Sequence, residues 1–152
     1  QVHGHQMVHI FHGVIVLDEK NFCDRLFALQ SALDQLFEKH KPEQCVVEKI
    51  FLGKNADSAF KLGHARGIVL AAAARAQSDL FEYATRSVKR GVTGHGGADK
   101  AQVERAVKSR LQLAKLVNYD ASDALALAIH HSLRWGSMSL LQERFTTAEL
   151  SE

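Results

Sequence analysis

A chain of 152 residues with 46% hydrophobic and 24% charged content has the composition of one globular domain. It is long enough to bury a core and too short for two ordinary domains. A net charge of +2 defines no partner by itself. The absence of any run of about 18 apolar residues excludes a membrane-spanning helix, and no secretory signal pattern is present.

The charge is unevenly placed. Residues 86–115 carry a net +6, from Arg86, Lys89, Arg90, Lys100, Arg105, Lys108, Arg110 and Lys115 against Asp99 and Glu104. Residues 1–48 carry a net −3. A basic stripe is an electrostatic footprint for nucleic acid, and equally the solvated face of a helix. Cys23 and Cys45 have no metal-ligand spacing and suit a reduced, cytoplasmic chain.

In chain order, Met7 to Leu17 is apolar and β-branched around Gly13 and reads as strand material. Phe22, Leu26, Leu29, Leu33, Leu36 and Phe37 recur at spacings of three and four, which predicts an amphipathic helix over 21–39. Lys41-Pro42 ends it. Cys45 to Ile50 follows as a short strand of the kind buried on both faces.

A second helix spans 56–77, with Gly63 and Gly67 forming a small-residue face. Leu80 to Ala84 is the next strand. The four glycines between Gly91 and Gly97 predict a flexible loop. A basic amphipathic helix covers 98–113, and an Ala- and Leu-rich helix covers 119–135. The polar tail from Gly136 is expected to fray. Alternating strands and helices place the chain in the α/β class with a mixed sheet.

The chemistry concentrates in three carboxylates. Glu48 ends the strand Val46-Val47, and Asp120 and Asp123 open an apolar helix three residues apart. A strand-end acid and a helical pair can converge on a hard divalent cation, which takes oxygen ligands and substrate phosphates. Such a site suits two-metal hydrolysis of a phosphodiester. Each acid also has an ordinary use: Glu48 in a solvated loop, Asp120 as a helix N-cap, Asp123 as an early-turn acid favoured by the helix dipole.

The nine histidines suggest no comparable site. A His9-x-x-His12 pair on a strand would send its rings to opposite faces. His131, two turns beyond Asp123, is placed to line the acidic site or to sit in the core.

Several segments together are similar to one family. They are Val47-Glu48-Lys49-Ile50-Phe51-Leu52-Gly53-Lys54-Asn55-Ala56-Asp57-Ser58-Ala59, Leu62-Gly63-His64-Ala65-Arg66-Gly67, Phe81-Glu82-Tyr83-Ala84, Val88-Lys89, the glycine loop leading to Lys100, and Asp120 to Ala128. In order and spacing this set resembles the RuvC family of Holliday-junction resolvases across roughly residues 10–131. The resemblance implies a ribonuclease-H-like fold, with a mixed β-sheet flanked by helices in a single nuclease domain over 1–152. It implies a homodimeric, cytoplasmic, magnesium-dependent endonuclease, with manganese as a substitute ion. Its substrate would be the four-way DNA junction, cut by symmetric nicks in recombination and repair, and its partners the branch-migration proteins RuvA and RuvB.

By position, Glu48, Asp120 and Asp123 match catalytic, metal-holding carboxylates of the family. Phe51 matches the aromatic that enters the junction and stacks on a base. Lys89, Lys100 and Arg66 match DNA-binding positions. The family's first-strand Asp-Pro-Gly motif has no counterpart, since the only proline is Pro42. The expectation is that the chain begins after that strand, and that a protein truly lacking it binds junctions without cutting them. A third reading is a ribonuclease-H-like nuclease acting on RNA or on RNA–DNA hybrids.

Overall fold

A computed structural model of the chain describes residues 2–3, 6–49, 56–116 and 118–149, with the backbone alone at 2, 3, 56, 58 and 137–149. It divides into two compact units, one formed by Ile15–Tyr83 and the other by Gln1–Val14 with Ala84–Glu152.

The unit Ile15–Tyr83 is built on a strand–helix–strand crossover. Helix α1 runs Phe22–His40, starting where the apolar spacing begins. The Asn21 side chain caps it by accepting from the Asp24 N–H at 2.8 Å. Such a cap is worth about 1 kcal/mol. Lys41 ends it in the left-handed region, φ 43°, its N–H donating to the Phe37 carbonyl.

Two strands, Gln44–Glu48 and Asp79–Tyr83, pair in parallel with Gln44 opposite Asp79 and Glu48 opposite Tyr83. Because parallel neighbours need a crossover, helix α2, Ala56–Arg75, joins them. Its Ala72 and Ala73 are buried. Methyl-sized side chains let a helix approach its neighbours closely, which is how this stretch packs. Ser78 Oγ donates to the Pro42 carbonyl and Arg75 pairs with Asp34, tying the end of α2 back to α1 and its exit.

The sequence predicts the first of these strands to be buried on both faces. It is half-buried from Gln44 to Val47 and exposed at Glu48, because it has one strand neighbour among the described residues. Ile50 lies outside those residues.

Among the described residues, the second unit holds a small antiparallel pair, Val2–His3 with Gln6–Met7, and three helices. These are α3 (Thr85–Thr93), α4 (Lys100–Leu111) and α5 (Tyr119–Glu149). Their shared core is Val88, Val92, Ala98, Val103, Val107, Leu116, Ala121, Ala126 and Ile129, with His130 and His131 buried among them.

Three sequence expectations change here. Met7 to Leu17 is not a strand: regular pairing stops at Met7. β-branched residues favour the pleated conformation only where a neighbouring ladder accepts their backbone groups. The predicted loop 91–97 is shorter, because α3 continues through Gly91 to Thr93 and the loop proper is Gly94 to Asp99. Helix α5 extends to Glu149 instead of ending at Trp135. A lone Gly136 costs a helix only about 1 kcal/mol, and no proline follows to stop it. Residues 150–152 of the expected frayed tail lie outside the described ones.

Candidate active site

Glu48 is the last residue of its strand, and the backbone there is held on two sides. The Lys49 N–H donates to the Tyr83 carbonyl at 2.9 Å, extending the ladder by one bond. Arg66, on α2, donates through Nη1 to the Glu48 carbonyl at 2.9 Å and pairs through Nη2 with Glu82 on the adjacent strand. The guanidinium fork thereby spans a carbonyl and a carboxylate at once, the use to which its fixed geometry is suited. The Glu48 residue itself is exposed.

Asp120 and Asp123 lie in the first turns of α5, both exposed. Residues three apart on a helix are surface neighbours, so the two carboxylates share a face. The N-cap role that Asp120 could have served falls to Asn118, whose side chain accepts from the Ala121 N–H at 2.9 Å. Sequence reasoning missed Asn118, although an Asn just ahead of an apolar helix is a standard start signal. With capping assigned to Asn118, the two acids are not needed to begin the helix. Their donor set, oxygen only, is the one hard cations such as magnesium require. Within neither unit do three or more described His, Cys, Asp or Glu side chains form a metal-holding group.

The basic positions differ in exposure. Lys89, on α3, is half-buried and donates to the Ala98 carbonyl at 2.8 Å, pinning the glycine loop. Lys100 is exposed at the first turn of α4, its Nζ 5.7 Å from the centre of the Tyr119 ring. That cation–π contact brings the lysine to the start of the helix bearing Asp120. The loop between these lysines ends in a reciprocal capping box: Asp99 Oδ1 accepts from Gln102 N–H at 2.7 Å, and Gln102 Oε1 accepts from Asp99 N–H at 2.8 Å. Phe51 lies outside the described residues.

His130 and His131 belong to the core. Burial pushes both imidazoles below their ordinary pKa, with Arg134 adding to the effect on His130 and His130 adding to that on His131. The His131 and Trp135 rings lie 5.9 Å apart, tilted by 34°. His9 and His12 do not point apart as a strand would require. The segment is irregular, and His12 Nδ1 meets His9 Nε2 at 2.9 Å. Burial, followed by the His12 charge, lowers the His9 pKa.

Residues 1–131 match the family described as crossover junction endodeoxyribonuclease RuvC. A crossover junction endodeoxyribonuclease RuvC of Bdellovibrio bacteriovorus is 53% identical over 135 residues, covering 88% of this chain and 80% of that protein. The Caulobacter vibrioides protein of the same name is 47% identical over 132 residues, covering 86% and 78%. Among solved structures, Thermus thermophilus RuvC in complex with Holliday junction substrate superposes with a TM-score of 0.83 at 26% identity, covering 90% of this chain and 85% of that one. A further Thermus thermophilus RuvC structure gives a TM-score of 0.68 at 30% identity, over 78% and 74%.

These likenesses define the class: an α/β protein of the ribonuclease-H-like fold, with the nuclease activity that its named relatives share. The chain belongs to the RuvC family of crossover junction endodeoxyribonucleases.

Proposed function

We propose that this protein resolves four-way (Holliday) DNA junctions by paired symmetric nicks during recombination and repair. The family match over residues 1–131 carries this reading, and the junction-bound relative of like fold supports it. The other two readings, a junction binder without catalysis and a nuclease for RNA or hybrids, gain nothing from relatives named as endodeoxyribonucleases.

Glu48, Asp120 and Asp123 would hold Mg2+, or Mn2+ in its place, and the two units would act as one nuclease domain. A bound ion supplies Lewis-acid charge at the phosphoryl oxygens and lowers the pKa of water. The chain's own part is positioning. Arg66 fixes the strand end that carries Glu48, and the Asn118 cap sets the start of the helix that carries the two aspartates. Lys100 offsets the repulsion between carboxylates and DNA phosphates, and Lys89 shapes the loop beside it. Phe51 would stack on a base opened at the junction, a contact worth about 1–3 kcal/mol. Symmetric nicking requires two such sites facing two strands, hence a homodimer, with RuvA and RuvB as the partners that move the junction. Its place of action would be the cytoplasm; no helix among the described residues is long and apolar enough to cross a membrane.

The test is cleavage with Mg2+ on three substrates: a four-way junction, a linear duplex and an RNA–DNA hybrid. Symmetric nicks confined to the junction are expected. Equal cutting of the hybrid, or cutting of the duplex at the same rate, would remove junction resolution as the function.

A further inference from the structure

Helix α4 has two differently charged sides. On one, Glu104 and Lys108 pair at 3.7 Å and cancel each other. On the other, a groove of about 510 Å³ opens between α4 and the end of α3 with its following loop. His95, Gln102, Arg105, Ser109 and Arg110 give it polar side chains, and no described carboxylate lines it. Arg110 is anchored by Nε donating to the Val92 carbonyl at 3.3 Å. Arg105 is exposed and makes no ion pair with a described residue.

We propose that this groove is a second track for the phosphodiester backbone, seating a DNA strand on the side of α4 away from Lys100. The inference rests on DNA being the substrate. Its charge is unopposed on the groove side, and its donors repeat. A rise of about 1.5 Å per residue separates Arg105 and Arg110 by about 7.5 Å along the helix. Both arginines line the one groove, so a continuous strand of phosphates can engage the pair. A free phosphate would use one arginine; a strand uses both. Lys100 sits at the first turn and on another face of α4, so it contacts a different stretch of DNA.

The test measures binding of the full chain to a four-way junction across salt concentrations, without divalent ions to prevent cutting. Arg105→Gln with Arg110→Gln should lower the slope of log affinity against log salt by roughly 2, since each phosphate neutralised contributes about 0.9. Between about 50 and 200 mM salt that is about a tenfold smaller loss of affinity than wild type shows. Arg105→Lys with Arg110→Lys should restore the slope. Junctions of different core sequence should respond alike.

An unchanged slope in a Gln double variant that melts with the wild type would overturn the groove as a backbone track. So would selective loss of polyglutamate binding with DNA binding intact, which would make it a seat for an acidic polypeptide. Failure of the wild type itself to bind junctions would instead count against the junction reading.

Discussion

Gly91 of α3 lies against the imidazole of His130 on α5, so close that a Cβ at position 91 would stand 2.1 Å from His130 Nδ1. The ring has little room to yield, because His130 is 5% exposed and its Nε2 faces Ser87 Oγ at 3.4 Å. Intrinsic helix preference alone would make alanine better than glycine by about 1 kcal/mol. Overpacking of a core costs typically about 1–3 kcal/mol, so the clash decides the sign. Gly91→Ala should destabilise the protein in urea unfolding. In a His130→Ala background the same change should cost much less. Equal costs in both backgrounds would show that the ring is not the obstacle.

The same histidine predicts a pH dependence. Burial lowers the folded-state pKa of His130 and His131 below the ordinary value of about 6.5. The unfolded chain therefore binds more protons than the native one as pH falls below that value. Stability is complete above about pH 6.5 and declines as pH drops toward the lowered folded pKa. Unfolding midpoints between pH 8 and pH 5 should fall, and His130→Gln should flatten part of that fall. A midpoint that rises on acidification would contradict the sign.

The carboxylates carry the catalytic prediction. Glu48→Gln, Asp120→Asn and Asp123→Asn should each abolish metal-dependent junction cleavage while binding stays largely intact. All three residues are exposed and none serves as the α5 cap, so the fold should survive. Gel assays of binding and nicking on one junction separate the two effects. Wild-type nicking by any one variant would exclude that residue from the site.

Arg66 is expected to act through Glu48 rather than through DNA alone. Removing it breaks a bond to the Glu48 carbonyl and the pairing with Glu82. Arg66→Gln should cost about 1–2 kcal/mol of stability, the scale of hydrogen bonds to charged groups at a partly exposed site. It should lower kcat more than junction affinity. If Glu82→Gln leaves both unchanged and Arg66→Gln alters only the salt slope, Arg66 is a phosphate contact and no positioning residue.

Lys89 and Lys100 should behave differently despite their similar chemistry. Lys100→Ala should reduce the salt slope by roughly 1 with little loss of stability. Lys89→Ala should also destabilise, because its Nζ holds the Ala98 carbonyl. Lys89→Met, which keeps the buried stem but loses the donor, should destabilise as well. Identical melting of Lys89→Met and wild type would show that the bond to Ala98 contributes nothing.

Much of this was legible in the sequence because local chemistry sets it. The three- and four-residue apolar spacing placed α1 within a residue of its observed ends, and the strand–helix–strand order around Glu48 appeared where expected. The acids, lysines and Arg66 could be named only as positions within a family pattern, their roles remaining proposals, and the Arg66 fork onto Glu82 was not readable, since the partner is sixteen residues away. Helix α3 was hidden by its own glycine: Gly91 reads as loop, yet it is helical, and it is glycine there because His130 occupies the space a side chain would need. The segment after Met7 misled in the opposite sense, since β-branched residues announce a strand but a ladder must exist to make one.

Among the described residues, three turns carry side chains where glycine is easiest: Lys41, Gln77 and Gln112, with φ of 43°, 55° and 54°. Left-handed backbone costs a residue bearing a Cβ about 1–2 kcal/mol, and Lys41 is restricted again by Pro42. Two of the three close helices α1 and α4. The protein therefore sits below the thermal resistance its own architecture would allow. A heat-hardened resolvase lies within reach of single changes at its helix exits, with its cutting chemistry left as it is.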